Sequence, residues 1–297
     1  MHLCSYPVSV GHKCQPMPTN RTIDPIVSTD WLAENRADED LVVVDVRGPG
    51  TYPKGHVPGA LGASVPTWVD AESDLLMTTP APDDLADTLG SLGITADARV
   101  VVVGSAGDDY SRADPVAVAD TLRYAGVDDV AVLDGGYDRW VDEGRPTEEG
   151  DVEPTPVDYD GRVREGAFVT KAEVEARLGE CALVDARDPG GYFGLVLEEF
   201  TERRGHIPGA TCLPTPWLWT DEGTFRPAAD LEAMAEGVVG DDRSTEAILY
   251  CGASPYSMAL RYVLQERLGY ENLAVYDGAA EEWSSDPEAP LNRYCWE

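Results

Sequence analysis

Short apolar runs that are followed by Asp, Gly or Cys recur along the 297-residue chain and alternate with amphipathic segments. These runs lie at residues 41–44, 100–103, 130–133, 182–184, 247–250 and 273–276. Unbroken apolar runs bounded by turn residues are typical of strands in a parallel sheet that is covered on both faces. After the fifth run, Met258/Tyr262 and Leu260/Leu264 repeat at i, i+4, as on a buried helix face. The pattern predicts the α/β class, with parallel sheets flanked by helices.

The pattern is duplicated. LVVVDVRGPGTYPKGHVPGA begins at Leu41, and ALVDARDPGGYFG begins at Ala182 and is followed by RRGHIPGA. Both copies place Asp-x-Arg after a strand and then Gly-His-x-Pro-Gly-Ala. A repeat of about half the chain is too long for a solenoid unit, so we predict two tandem domains. The expected divisions are a disordered extension at 1–21, a first domain at 22–146, a linker at 147–161 and a second domain at 162–297.

The later parts of the two copies also correspond. The matched positions are Asp134/Asp277, Trp140/Trp283 and Gly126/Gly269. The tryptophans are expected to anchor the last helix of each copy on the core. The glycines suit the left-handed residue that ends a helix. Gly104 stands opposite Cys251, so only the second copy carries a thiol at this position.

Composition narrows the function classes. The formal net charge is -33, with 55 acidic residues and three lysines spread along the chain. Such a surface repels nucleic acid and anionic membranes, so neither is an expected partner. It suits a halophilic cytosol, where salt screens the repulsion, although an acidic mesophilic protein remains the alternative. No apolar run approaches the ~20 residues of a membrane span, and residues 1–20 lack the apolar stretch of a secretory signal, so we expect a cytoplasmic protein.

The six cysteines do not form a metal or disulfide pattern. None belongs to a Cys-x-x-Cys pair, and no Cys/His cluster has zinc spacing, so neither a metal nor a cofactor is expected. Cys251 differs because it ends a strand just before a helix. Ser254 suits the N-cap of that helix and Pro255 its first position. A thiol at a helix N-terminus is favoured as the reactive thiolate, whereas a buried structural cysteine is the alternative.

Together these motifs resemble the rhodanese superfamily, specifically the two-domain thiosulfate and 3-mercaptopyruvate sulfurtransferases. The resemblance rests on VVDVR and VDAR, on GHVPGA and GHIPGA, on LDGGYDRW and YDGAAEEW, and on the single strand-terminal cysteine. It implies ping-pong sulfur transfer through a persulfide on Cys251. The expected partners are a small-molecule sulfur donor and a thiol or cyanide acceptor.

The resemblance also implies the rest of the site. The loop that would hold the persulfide through its backbone amides contributes Gly252, Ala253, Ser254, Tyr256 and Ser257. Arg187 would pair the sulfonate or carboxylate of the donor, or would instead form a brace with Asp185 inside its own domain. The motif histidines, His56 and His206, are expected to tie their loops to backbone groups rather than to act as bases.

The active-site loop departs from the family pattern. Ser254 stands where glycine is usual, and Pro255 has no N–H to donate. The loop lacks both the basic residue of thiosulfate-type enzymes and the Gly-Ser pair of the mercaptopyruvate type. Gly191 replaces an arginine that the family often carries, for which Arg203 or Arg204 would have to compensate.

These departures leave a second function open. A degenerate rhodanese tandem would act as a non-catalytic binding or sulfur-carrier module. A rhodanese-like phosphatase is disfavoured, because it needs an arginine six positions beyond the cysteine, where this chain has Ser257.

Overall fold

Each half of the chain contains one five-stranded parallel sheet in the computed structural model, which describes residues 21–297. In the first half the strands are β1 (Ile26–Val27), β2 (Leu41–Asp45), β3 (Leu61–Gly62), β4 (Arg99–Val103) and β5 (Asp129–Leu133), in the order β1-β5-β4-β2-β3. The helices are α1 (Thr29–Asn35), α2 (Pro82–Ser91), α3 (Asp109–Ala125) and α4 (Gly136–Asp142).

The second half repeats this topology. Its strands are β6 (Phe168–Val169), β7 (Ala182–Asp185), β8 (Ala210–Cys212), β9 (Ala247–Tyr250) and β10 (Leu273–Tyr276), in the order β6-β10-β9-β7-β8. Its helices are α5 (Lys171–Arg177), α6 (Pro189–Tyr192), α7 (Ala228–Val238), α8 (Pro255–Tyr262) and α9 (Ala279–Ser285). The predicted α/β class is therefore confirmed, and it follows from strands buried on both faces.

The predicted domain boundaries remain predictions, and the expected extension lies outside the described residues except for Arg21. The Arg21 guanidinium is 2.5 Å from the Glu266 carboxylate, which ties the first described residue to the second half. Across residues 21–297, every helix is too short or too polar to cross a bilayer.

The duplicated glycines and tryptophans occupy the expected places. Gly126 and Gly269 have left-handed φ angles of 112° and 77° and close their helices, although in the second copy a π-helical turn at Val263–Arg267 intervenes after α8. Both tryptophans are fully buried, and each indole N–H donates to a carbonyl beyond the last helix, at 2.8 Å: Trp140 to Pro146 and Trp283 to Pro290.

The two halves pack through the equivalent helices α3 and α8. Arg261 on α8 donates to both carboxylate oxygens of Asp120 on α3, at 3.0 and 2.5 Å, and both side chains are buried. The Tyr262 hydroxyl donates to the carbonyl of Val130, 2.7 Å away. This interface brings α3 of the first half beside the loop that follows β9.

The matched aspartates make reciprocal contacts across the interface. Asp134 in the first half accepts from the Phe225 amide at 2.8 Å. Asp277 in the second half accepts from the Thr79 amide at 3.0 Å. The reciprocity indicates that the two copies are related by an approximate two-fold axis, so each copy helps to position the other's strand-end loops.

Candidate active site

The chain reaches Cys251 directly at the carboxyl end of β9, in the middle of the second sheet. The Cys251 carbonyl accepts from the Ala280 amide at 2.9 Å, and the Gly252 carbonyl accepts from the Glu281 amide at 3.0 Å. These bonds fix the start of the loop against α9. The carboxyl ends of the strands are where open α/β sheets place their ligand sites.

The Cys251 sulfur faces donors from its own loop. The Ser257 hydroxyl lies 3.5 Å from the sulfur and also donates to the Ser254 carbonyl at 2.8 Å. The backbone amides of Ala253 and Ser257 also favour the thiolate. However, Cys251 is only 2% exposed, and this burial raises the thiol pKa above its ordinary value despite the three donors. Our expectation of a net stabilised thiolate is therefore not met, because desolvation outweighs the loop donors.

The backbone at Ser254 shows why glycine is usual at this position of the family loop. The Ser254 φ of 72° lies in the region that favours glycine, so a glycine there would cause the least backbone strain. The Ser254 hydroxyl donates to the Asp277 carbonyl at 2.6 Å and does not cap the helix amides. Ser254 therefore holds the predicted N-cap position, but its side chain makes no capping bond, since the positive φ directs the hydroxyl to Asp277, just after β10. Pro255 does occupy the first position of α8, as predicted.

Aromatic residues cover the open side of the loop. Phe200 packs on Gly252 so closely that a Cβ on Gly252 would overlap the ring. Tyr256 is buried, and its ring stacks on Tyr110 of α3 with 5.1 Å between ring centroids. Tyr110 is itself 60% exposed, so the first half contributes one wall of the site that faces solvent.

Arg187 is committed to partners within its own half. It donates to both carboxylate oxygens of Asp185, including one bond of 2.7 Å, and to the Gly205 carbonyl at 2.7 Å. Its remaining nitrogen, Nη1, lies 2.9 Å from Glu198 Oε2. These contacts match the second of the two alternatives predicted for Arg187, a brace with Asp185 inside its own domain. A donor anion would have to displace Glu198 to reach this guanidinium.

The segment that carries Glu198 also fills the space beside Gly191. A Cβ on Gly191 would lie 3.4 Å from Glu198 Oε2, so a carboxylate stands near the position where the family carries an arginine. Of the two candidate compensating arginines, Arg203 is held by backbone carbonyls, whereas Arg204 is exposed and makes a single backbone contact. Arg203 donates to the carbonyls of Ser284 and Ala289, both at 2.9 Å, and Arg204 donates to the Leu195 carbonyl at 2.5 Å.

The first half keeps the same framework without the thiol. Arg47 braces Asp45 and the Gly55 carbonyl, with bonds of 2.7 Å to each. Gly104 lies at the end of β4, beside a cleft of about 520 Å³ that Asp114 also lines. Burial raises the pKa of Asp114 to about 6. Within the described part of the chain, the corresponding cleft of the first copy therefore contains a carboxyl group and no thiol, which is a further chemical difference from the Cys251 site.

Both motif histidines tie loops to backbone. His206 Nδ1 lies 2.8 Å from the Tyr192 carbonyl, and its ring stacks on Tyr192. His56 makes the same contacts with Tyr52. Both rings are fully buried, whereas a base that acts on solvent or substrate would need to be exposed.

Sequence reasoning missed three residues at the site: Tyr110, Glu198 and Phe200. Glu198 and Phe200 lie in the GLVLEEFTERR stretch, whose extra length relative to the first copy was the available signal. Tyr110 carried no signal, because only the packing of α3 on α8 brings it to the loop.

Comparisons with known proteins agree with this geometry. The family model of the rhodanese-like domain matches residues 28–143 and 170–286. A putative thiosulfate sulfurtransferase of Haloferax volcanii is 32% identical over 289 residues, which cover 91% of this chain and 96% of the relative. The sulfur carrier protein TtuD of Thermus thermophilus is 29% identical over 281 residues, covering 90% of this chain and 95% of the relative.

A solved structure shares this architecture over most of the chain. The crystal structure of SseA from Escherichia coli, described as a 3-mercaptopyruvate sulfotransferase, superposes with a TM-score of 0.72 at 29% identity. The match covers 86% of this chain and 99% of that one.

Proposed function

Because the chain belongs to the rhodanese family, we propose that it is a sulfurtransferase that carries a sulfane sulfur as a persulfide on Cys251. The donor is thiosulfate or 3-mercaptopyruvate, and the acceptor is a thiol, or cyanide in an assay. The observation that carries the proposal is the position of Cys251 at the end of β9, with the Ser257 hydroxyl and two loop amides directed at its sulfur.

The reaction proceeds in two displacement steps. The Cys251 thiolate attacks the outer sulfur of thiosulfate or the sulfur of 3-mercaptopyruvate, and a new S–S bond forms. The S–S or S–C bond of the donor breaks, and sulfite leaves, or pyruvate leaves as its enolate and takes a proton from solvent. The acceptor then attacks the outer sulfur of the persulfide, and the Cys251 thiolate leaves. Covalent catalysis of this kind divides one difficult transfer into two easier ones. Gly252, Ala253, Ser254, Tyr256 and Ser257 form the cradle for the transferred sulfur.

The proposed reaction requires the observed site to open. With Cys251 at 2% exposure and Phe200 on Gly252, attack requires Phe200 to move away from the loop. Entry of a polar donor would also bring solvating groups to the sulfur and reduce the desolvation that raises the thiol pKa.

A non-catalytic sulfur-carrier module is the second candidate. Two observations favour it: Arg187 is already paired with Glu198, and burial raises the Cys251 pKa. A relative named as a sulfur carrier protein points the same way. A carrier would accept a persulfide from another protein but would turn over small donors slowly.

Cyanolysis distinguishes the candidates. Wild type and Cys251→Ser are assayed in molar KCl with thiosulfate and with 3-mercaptopyruvate, and thiocyanate is measured. We expect turnover by wild type with at least one donor, a mass increase of one sulfur on Cys251 before cyanide is added, and neither signal in Cys251→Ser. If wild type shows neither turnover nor a persulfide, the proposed sulfurtransferase activity is refuted. If wild type forms the persulfide but does not turn over either donor, the protein is a sulfur carrier. Cys212→Ser is the matched control, since Cys212 lies outside the loop.

Two further properties belong to the proposal. The dispersed net charge of -33 supports function in a halophilic cytosol, and a Haloferax relative is consistent with this. We also propose a cytoplasmic location, as the sequence led us to expect.

A further inference from the structure

Three potential metal ligands of different chemistry meet where the Gly-His turn of the second half contacts the C-terminal tail. One ligand atom each from His206, Cys295 and Glu297 lies within 4.8 Å of the others. His206 is fully buried, whereas Cys295 and Glu297 are exposed. The cluster was invisible to motif spacing, because its members come from the Gly-His-Ile-Pro-Gly-Ala turn and from the tail after α9.

The hydrogen bond from His206 Nδ1 to the Tyr192 carbonyl leaves Nε2 as the ring nitrogen that can bind a metal. Nδ1 lies 2.8 Å from the Tyr192 carbonyl, which can only accept, so Nδ1 carries the hydrogen. The other nitrogen, Nε2, therefore presents its lone pair in the neutral ring and faces Glu297 Oε1 at 3.1 Å. Two acceptors at this distance require a proton or a cation between them. A carbonyl on the second nitrogen is the usual outer partner of a metal-ligating histidine.

The tail is positioned by contacts that need no metal. The backbones of His206 and Asn292 exchange two hydrogen bonds, of 3.0 and 2.9 Å. The Trp296 ring packs on Phe193 at 4.3 Å between centroids and on Tyr192 at 5.4 Å. Cys295 and Glu297 are thus brought to His206 before any ion binds, which reduces the ordering cost of coordination.

The first copy provides an internal comparison. His56 makes the same bond to a tyrosine carbonyl, at 3.2 Å, and Glu148 lies 3.9 Å from its Nε2. Within residues 21–297, no group forms a hydrogen bond with His56 Nε2, and no cysteine accompanies it. The tail of the second copy therefore adds a thiol and shortens the carboxylate contact, and both changes increase the number of ligands.

We propose that His206, Cys295 and Glu297 bind a zinc ion. Imidazole, thiolate and carboxylate together match the ligands of Zn²⁺, whereas Ca²⁺ and Mg²⁺ prefer oxygen. Three protein ligands leave the fourth tetrahedral position to water. Coordination converts the Cys295 thiol to the thiolate and releases its proton to solvent. The ion would fasten the tail to the turn whose Gly205 carbonyl accepts from Arg187 at 2.7 Å, so it would also stiffen the Asp185–Arg187 brace.

Titration of the full chain with Zn²⁺ and Co²⁺ tests the site. All variants carry Cys251→Ser, so that the catalytic thiol contributes nothing and the outcome is independent of sulfur transfer. We expect one high-affinity Zn²⁺ per chain by calorimetry and a thiolate-to-cobalt charge-transfer band with Co²⁺. Cys295→Ser should abolish the band and weaken binding by more than the roughly 10–100-fold that loss of an outer partner costs. Glu297→Gln should weaken binding and keep the band.

Matched controls locate the signal. Cys181→Ser removes a half-buried thiol elsewhere in the second half and should change neither measurement. Absence of saturable binding would overturn the proposal. So would a charge-transfer band that survives Cys295→Ser, because the thiolate ligand would then be another cysteine.

Discussion

Replacing Glu198 with glutamine removes the negative charge that forms an ion pair with Arg187. In wild type, Arg187 Nη1 donates to Glu198 Oε2 at 2.9 Å while its other nitrogens hold Asp185 and the Gly205 carbonyl. The guanidinium and two carboxylates carry a net charge of about one negative unit beside the thiol. Glutamine keeps the size and one acceptor oxygen but brings this net charge to zero. An anionic donor then meets less repulsion, and the Cys251 pKa falls because Glu198 contributes to its elevation.

The size of the effect follows from Coulomb's law. A unit charge on the order of 8 Å from the donor, at an effective dielectric constant of about 20, contributes roughly 2 kcal/mol. Because Glu198 is largely buried, molar salt screens this charge only in part and leaves about 1 kcal/mol, which corresponds to about fivefold in kcat/KM. Thiosulfate carries two negative charges and 3-mercaptopyruvate one, so the gain in free energy is about twice as large for thiosulfate. Glu198→Gln should therefore improve thiosulfate by roughly 25-fold and 3-mercaptopyruvate by roughly fivefold.

Steady-state cyanolysis with both donors, in molar KCl and at fixed pH, measures these ratios. Glu199→Gln is the matched control, since it removes the same charge from an exposed neighbour. The reasoning is refuted if Glu198→Gln changes kcat/KM no more than Glu199→Gln does. It is equally refuted if both donors improve by the same factor, because the effect would then not be electrostatic. Unfolding in urea verifies that the variant keeps its fold.

Three further changes test the site and the interface. Ser257→Ala removes a contact with the Cys251 sulfur that is worth at most about 1 kcal/mol, because the hydroxyl also donates to the Ser254 carbonyl at 2.8 Å. The pH profile of alkylation at Cys251 should therefore move to higher pH by somewhat under one unit; an unchanged profile would contradict the role of this hydroxyl. Asp120→Asn leaves the buried Arg261 without its counter-ion and should lower the free energy of unfolding by about 3–5 kcal/mol in urea titrations, whereas Arg267→Ala, at an exposed pair, should cost under about 1 kcal/mol; equal losses would count against the interface. Transfer from about 1 M to 0.1 M KCl lengthens the screening distance from about 3 to 10 Å and should lower the melting temperature, and a higher value in low salt would refute the halophilic interpretation.

Local patterns determined the framework. Apolar runs predicted the strands because a parallel strand is buried on both faces, and each of these runs forms a strand of the sheets. The duplicated Asp-x-Arg and Gly-His motifs predicted the tandem arrangement, and the family resemblance is confirmed. Cys251 stood out because it differs from Gly104 at an otherwise matched position. These inferences succeed because strand burial, helix termini and turn residues depend mainly on nearby sequence.

The state of the site depended on distant parts of the chain. Ser254 was expected to cap a helix, but its left-handed backbone directs the hydroxyl to Asp277. The Cys251 thiol was expected to have a lowered pKa, but Phe200 covers Gly252 beside it, and burial outweighs the loop donors. Desolvation is summed over every neighbour in space, so no local motif reports it.

The sequence by itself therefore determined the class of fold, the duplication and the position of one thiol at a strand end. Only the tertiary structure decided that Glu198 forms an ion pair with Arg187 and that Tyr110 of the first half stacks on Tyr256. It also decided that His206 lies beside Cys295 and Glu297 of the C-terminal tail. The physical reason is range: hydrophobic periodicity and turn chemistry act over a few residues. Ion pairs, desolvation and ligand clusters depend on which remote segments the packed core brings together.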